Sequence, residues 1–306
     1  MKATFRQLKV FLALADTGSI TAAARATHVT QPTASIQLRE LGDAVGAPLY
    51  EVVARKIYLT EIGKELARTV RTMVQAWDAF EQEVDGAKGL TRGKLRVSVV
   101  STAQYFMPRL IGNFCKQHPQ IDVSLEVLNR DGVVSRLRAN LDDLYIMSMP
   151  PKDMDLQDEV FMANPLVVVG PSVQRSRTGR PVRLEQLAKH RFILREAGSG
   201  TRMAADQHFR QHRFQPDIRL ELGSNEAIKE AVAGGLGISV LSRHALHGRD
   251  TERGVAVLDV KGFPISSNWH IVHPAGKKLA PVAAAFRASL LHDLQAHRVA
   301  PKAAKK

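Results

Sequence analysis

At 306 residues the chain is long enough for two or three compact units, and no apolar run in it reaches the length that spans a bilayer. Its single cysteine, Cys115, excludes an internal disulfide, a two-thiol redox sensor within one subunit and any multi-cysteine metal centre. The net charge of +13 asks for an anionic partner, yet residues 1–60 hold seven Lys/Arg against four Asp/Glu and residues 61–90 four against six, so nearly all the excess lies beyond the first ninety residues.

The first predicted helix runs from about Phe5 to Asp16, with Phe5, Leu8, Phe11, Leu12 and Ala15 on one apolar stripe. Gly18 ends it, and Ser19 is placed to cap a second helix from Ile20 to about Thr27. Ala22, Ala23 and Ala24 keep that helix small enough for close approach by another. His28-Val29 make a turn, with Val29 as the plug into a small core. Thr30 caps a third helix, and Pro32 sits in its first turn, where a missing N–H costs nothing. Either Ile36 or Leu38 faces inward there, together with Leu41. A hairpin from Leu49 to Leu59 follows, with Arg55-Lys56 near its tip.

That order predicts a winged helix-turn-helix, which lays the third helix in a DNA major groove. Thr30, Gln31, Pro32, Thr33, Ser35, Gln37 and Arg39 are its candidate DNA-contacting residues, with Arg55 and Lys56 from the wing. Gln can bond adenine in bidentate fashion, Thr and Ser read either base type, and the helix N-terminus favours a phosphate. A basic tip suits phosphates or a minor groove. The helices alone would fit an ordinary three-helix bundle with a solvated polar face equally well; the hairpin favours the DNA reading.

This block resembles the LysR-type transcriptional regulators. The matching residues are Phe11, Gly18, Ser19, Ala22, Ala23, Ala24, Thr30-Gln31-Pro32, Ser35, Leu41, Gly46, Pro48-Leu49, Leu59-Thr60 and Gly63. The family usually has arginine where Val52 stands and alanine where Ile62 stands.

Ile62, Leu66, Thr69, Met73, Trp77, Phe80 and Val84 then step by four and three, a heptad-like seam on a long helix. The seam either packs on its own domain or joins two copies of the chain. Dimerisation through Ile62, Leu66, Met73, Trp77 and Phe80 is the favoured expectation, because paired recognition helices read a two-part operator. Gly86-Ala87-Lys88-Gly89-Leu90-Thr91-Arg92-Gly93 reads as a hinge. The expected division is 1–60 winged helix-turn-helix, 61–88 linker helix and 89–306 effector domain, with lobe I at 94–163 and 268–300 and lobe II at 164–267.

Beyond the hinge, strands are predicted at Leu95–Val100, Ile121–Val127, Leu144–Met147, Pro165–Val169, Phe192–Leu194, Leu220–Leu222 and Gly237–Leu241, alternating with helices that include 133–140. The alternation predicts an α/β fold with parallel strands, and Cys115 on an apolar helix is expected in its core. Three strand-to-helix junctions carry hydroxyls: Ser101-Thr102, Ser199-Gly200-Thr201 and Ser224-Asn225-Glu226. Any one of them is explained by Ser and Thr being good helix caps. Together with Arg195 and Arg202 they favour an anion site at helix N-termini. Residues 175–213 carry ten Lys/Arg against three Asp/Glu.

This half resembles the LysR effector domain, which implies a two-lobed periplasmic-binding-protein-like fold. Within the family the likeness is strongest to the Calvin-cycle regulators of the RuBisCO operon, the CbbR type. It is carried by Asn129-Arg130, Asn164-Pro165-Leu166-Val167-Val168-Val169, Phe192-Ile193-Leu194-Arg195-Glu196, Gly198-Ser199-Gly200-Thr201-Arg202, Leu222-Gly223-Ser224-Asn225-Glu226-Ala227-Ile228-Lys229 and Leu258-Asp259-Val260-Lys261-Gly262-Phe263-Pro264. The resemblance implies a phosphorylated or nucleotide metabolite as effector. Asn129, Arg130 and Met149 join the junction residues as candidates, Met149 standing where relatives carry arginine.

The function expected is thus an effector-responsive, homodimeric or homotetrameric DNA-binding regulator of a carbon-fixation operon, cytoplasmic and without a signal peptide. Double-stranded DNA and RNA polymerase are its expected macromolecular partners, and no membrane, metal or cofactor is expected. The alternatives are a LysR-type regulator of another pathway answering to an unphosphorylated acid, and a solute-binding protein. An enzyme is disfavoured, since Gly198-Ser199-Gly200 departs from G-x-S-x-G spacing and no P-loop or His-Glu metal motif occurs.

Overall fold

The computed structural model describes residues 2–86, 93–174, 181–246 and 254–299. Contacts divide the chain into two compact units, residues 1–87 with 139–141, and the remainder. Of the predicted hinge only Gly86 and Gly93 lie among the described residues, and 175–180 and the tail 300–306 lie outside them.

In the first unit α1 (Phe5–Thr17) opens on a capping box: Thr4 Oγ1 accepts from the Gln7 N–H and Gln7 Oε1 from the Thr4 N–H. Helix α2 (Ile20–Ala26) starts on Ser19, whose hydroxyl accepts from the Ala22 N–H. Helix α3 (Gln31–Val45) starts on Thr30, whose hydroxyl accepts from the Thr33 N–H. Of the two candidates for the inner face of α3, Leu38 is 1% exposed and Ile36 46%. Leu38, Leu41 and Ala34 close on Phe11, Leu14, Ala23 and Ala24, with Val29 packed against them. The hairpin β1 (Tyr50–Val53) and β2 (Lys56–Leu59) is antiparallel and leads into α4 (Glu61–Gly86). A Cβ on Gly63 would lie 1.9 Å from the Leu49 carbonyl oxygen, so the start of α4 meets the wing only where there is no side chain.

The second unit has two lobes. Lobe I contains β3 (Gly93–Val100), a 3-10 turn at Ser101–Tyr105, α5 (Met107–Gln117), β4 (Ile121–Leu128), α6 (Arg130–Arg138), β5 (Leu144–Met147) and β6 (Leu156–Ala163). Lobe II contains β7 (Leu166–Pro171), β8 (Arg191–Arg195), α7 (Gly200–Gln211), β9 (Asp217–Leu222), α8 (Asn225–Ala233), β10 (Ser239–Ser242) and β11 (Val255–Leu258). The chain then returns to lobe I with β12 (Asn268–Pro274) and α9 (Pro281–Val299). At the crossing the Asn164 N–H donates to Ser267 O and the Ser242 hydroxyl to Asn164 Oδ1.

The sheets are mixed, which corrects the expectation of parallel strands. Lobe I has the order β4-β3-β5-β12-β6, with β3 parallel to β4 and β5, and β12 antiparallel to β5 and β6. In lobe II β10 and β11 flank β7 antiparallel, while β8 and β9 pair parallel. The returning chain runs β12 against its neighbours, a long-range pairing that βαβ alternation does not announce. Strand β7 is buried on both faces: Leu166 and Val168 meet Ala205 and Phe209 of α7, and Val167 and Val169 meet Ile228 and Val232 of α8. Helix α6 begins three residues ahead of the predicted 133, because Asn129 Oδ1 accepts from the Gly132 N–H and caps it. Cys115 is half-buried rather than in the core. Among the described residues no helix is long and apolar enough to cross a membrane.

Candidate functional site

On α3, Gln31, Pro32 and Arg39 are exposed, Thr33 and Ser35 half-buried, and Thr30 sits exposed at the cap. Gln31 Nε2 donates to Ser35 Oγ at 3.0 Å, and the hydroxyls of Thr30 and Thr33 are 2.8 Å apart. Gln31, Ser35 and Arg39, four residues apart, thus form one polar line. Ile36 is exposed beside them and offers an apolar contact of the kind a thymine methyl takes. Gln37 is half-buried, its Oε1 lacking a partner among the described residues. In the wing Ala54 and Arg55 have φ of +49 and +64, the two positive values that a two-residue hairpin turn of type I′ demands. Arg55 and Lys56 are both exposed.

In the second unit a cleft of about 240 Å³, counting its open mouth, is lined by Val100, Ser101, Thr102, Arg130, Ser148, Arg195, Ser199, Gly200, Thr201 and Trp269. The end of β3, the start of α6, the end of β8 and the start of α7 meet there; the Asp131 and Gly132 N–H groups of α6 are taken by Gly198 O and Asn129 Oδ1, whereas α7 starts with no side-chain cap and turns its N-terminus to this space. A Cβ on Gly200 would come within 3.0 Å of Ser148 Oγ, so the glycine keeps this space open.

The three arginines near the cleft differ. Arg195 is 2% exposed, and its N–H groups go to Glu196 at 2.8 and 3.0 Å, Asn225 Oδ1 at 2.9 Å and Ser101 Oγ at 3.1 Å. Arg202 faces away from the cleft, donating to Asp206 at 3.0 Å, Glu221 at 2.7 Å and the Arg195 carbonyl at 2.8 Å. Burial opposes the Arg202 charge, but Glu221 and Asp206 outweigh it and hold the guanidinium more firmly protonated than usual. Arg130 donates Nε to the Met149 carbonyl at 2.7 Å and has Nη1 3.6 Å from Asp131, which leaves Nη2 without a protein partner among the described residues.

Other candidates frame the cleft without lining it. Asn129 and Ser224 cap α6 and α8. Asn225 donates to Thr102 Oγ1 at 3.3 Å, and Glu226 accepts from the Tyr105 hydroxyl at 2.7 Å. Burial, then Glu226, pushes the Tyr105 phenol far up, so it stays a donor. Met149 contributes its carbonyl to Arg130. Sequence reading missed Val100, Ser148 and Trp269. The Trp269 Nε1–H is buried without a partner among the described residues.

On α4, Ile62, Met73, Trp77, Phe80 and Val84 are 46–55% exposed, whereas Leu66 packs into the core of the first unit. Trp77 lies between the rings of Phe5 and Phe80, each at 5.8 Å.

A winged helix-turn-helix on one unit and a polar cleft between the lobes of the other define a ligand-responsive DNA-binding regulator. Residues 5–64 match the family described as "Bacterial regulatory helix-turn-helix protein, lysR family", and residues 88–295 match the "LysR substrate binding domain". The chain belongs to the LysR family of transcriptional regulators. It is 42% identical to the HTH-type transcriptional activator CmpR of Synechocystis over 284 residues, 93% of each chain. It is 43% identical to the RuBisCO operon transcriptional regulator of Acidithiobacillus ferrooxidans over 284 residues, 93% of this chain and 92% of that one. The solved regulatory domain of Synechocystis CcmR in complex with 2-PG aligns with a TM-score of 0.64 at 42% identity, covering 67% of this chain and 98% of that one.

Proposed function

We propose that this chain controls transcription of a carbon-fixation operon in response to a small phosphorylated anion held in the cleft. Residues 1–60 would read the operator, 61–88 join two copies through the exposed seam of α4, and 89–306 sense the effector. The chain would act in the cytoplasm, as a dimer or a tetramer of two dimers, without turning its ligand over. The carrying observation is the unclaimed Arg130 Nη2 beside the N-terminus of α7 and the hydroxyls of Ser101, Thr102, Ser148, Ser199 and Thr201. Arg195 is held by Glu196, so it would organise the cleft, whereas Arg130 would meet the anion as a fork suited to phosphate. The regulators of RuBisCO operons among the relatives and the 2-PG complex of a 42% identical domain support this reading.

Calorimetric titration of the full chain tests it. The panel is 2-phosphoglycolate, ribulose 1,5-bisphosphate, phosphoenolpyruvate, NADPH and ATP beside aromatic and dicarboxylic acids. Phosphate-selective binding that Arg130→Gln weakens by about 1.5–3 kcal/mol is expected, the worth of a charged hydrogen bond. Selective binding of unphosphorylated acids, or an unaffected variant, would overturn it.

A further inference from the structure

Lobe II has two poles. The ends of β8 and β9 and the start of α7 face the cleft. At the opposite pole β8 begins with Arg191, and α7 carries Arg210 in its last turn, with Arg213 just beyond it. Tertiary contacts gather more cations there. A bridge between Val182 and Val260, with the Lys261 N–H on Val182 O, sets Arg183 beside Lys261. A Cβ on Gly262 would lie 3.5 Å from the His208 ring, so that pair abuts the end of α7. Phe214 packs on Phe192 at 5.7 Å, which draws Arg213 towards the start of β8. Lys189 ends the 3-10 turn just before β8.

All six cations are exposed. Arg191 pairs with Asp217 at 3.0 Å; the other five make no ion pair among the described residues. The acidic residues at this pole are Glu185, Asp217 and Asp259; Asp206, one turn earlier on α7, is held by Arg202. Cations at the end of a helix offset its dipole, which accounts for Arg210 but not for Arg183, Lys189 or Lys261 on other segments.

We propose that this pole is a second DNA-contacting surface, which holds duplex flanking the operator. The inference rests on the chain's binding DNA. Phosphate neutralisation supplies much of a regulator's affinity, yet the first ninety residues, with eleven Lys/Arg against ten Asp/Glu, bring almost no net charge to it. A polyanion too long for the recognition helices to cover is the partner whose charge this pole complements.

The test uses the full chain. An operator is selected from a random duplex library, then prepared as its minimal core and with about two further helical turns on each side. Affinity is measured by fluorescence anisotropy against salt. Lys189→Gln/Arg210→Gln/Arg213→Gln is expected to lower the salt slope on the flanked duplex by up to about 0.9 per lost cation, and to leave the bare core within about twofold. Arg109→Gln/Lys116→Gln, exposed cations of α5, should change neither. An unchanged slope on flanked DNA overturns the proposal and leaves the pole to an acidic protein. Equal losses on both duplexes, or from the α5 control, overturn it as a bulk-charge effect. Failure to select any operator would instead sink the DNA-binding reading beneath it.

Discussion

Single side chains decide what the two sites can do. On α3 the Gln31 amide is turned to Ser35 at 3.0 Å, so a bidentate pair with an adenine would replace that one hydrogen bond. Gln31→Ala is expected to cost about 1–3 kcal/mol of base discrimination. Arg55→Ala should weaken operator and unrelated duplex alike, since a wing tip meets phosphate. Binding isotherms on the operator and on singly changed operators separate the two, and selectivity unchanged in Gln31→Ala would remove that residue from the reading face. At the cleft, residue type was legible and partnership was not. Arg130, Arg195 and Arg202 look equivalent as letters. Only the fold shows that Glu196 and Asn225 occupy Arg195 and that Asp206 and Glu221 occupy Arg202. Trp269 escaped for a related reason: it enters the cleft on a strand that returns from the other lobe, far from every junction motif.

At the scale of elements, caps and periodicity carried most of the information. Thr30 and Ser19 accept the N–H groups their positions suggest, and Gly18 and Gly46 end their helices at φ of +64 and +77. Such signals are local, so they survive in a bare sequence. The inner residue of α3 was undecided between Ile36 and Leu38 because a turn of helix places both near the same boundary; contact with α1 settles it for Leu38. Strands β6, β11 and β12 carried no comparable signal, since their partners are distant in sequence. Gly63 illustrates a tertiary requirement hidden in a local letter. Its site has no room for a methyl group against the Leu49 carbonyl, and backbone cannot yield as a side-chain tip can. Gly63→Ala is expected to destabilise the first unit by about 1–3 kcal/mol, the usual range for overpacking, and to weaken operator binding with it. Chemical denaturation checks this, and a midpoint equal to that of the unsubstituted chain would show that α4 can move off the wing freely.

For the molecule as a whole, the α/β class was legible from alternation and the two lobes only from the resemblance to LysR effector domains, while the direction of the strands was not legible. Charge shows the same split: its excess was countable, while its placement waited on the fold. Two histidines that no motif marks, His208 and His273, have pKa values shifted by the fold. His208 is 8% exposed, stacks on His212 at 4.2 Å, touches Phe263, and leaves Nε2 buried without a partner among the described residues. Burial, then the neighbouring His212, pushes its pKa below the usual imidazole value, and burial does the same to His273. The unfolded chain therefore binds these protons more tightly than the fold does. Stability from both groups is fully present above about pH 6.5, where they are neutral in either state. It falls as pH drops through the window between that value and the lower folded ones, and the loss levels off below them. The thermal midpoint should accordingly fall between pH 7.5 and 5.5. His208→Leu keeps the ring's apolar packing volume but carries no proton, so its midpoint should fall less over the same interval. A fall as large as in the parent chain would assign the acid sensitivity to other groups.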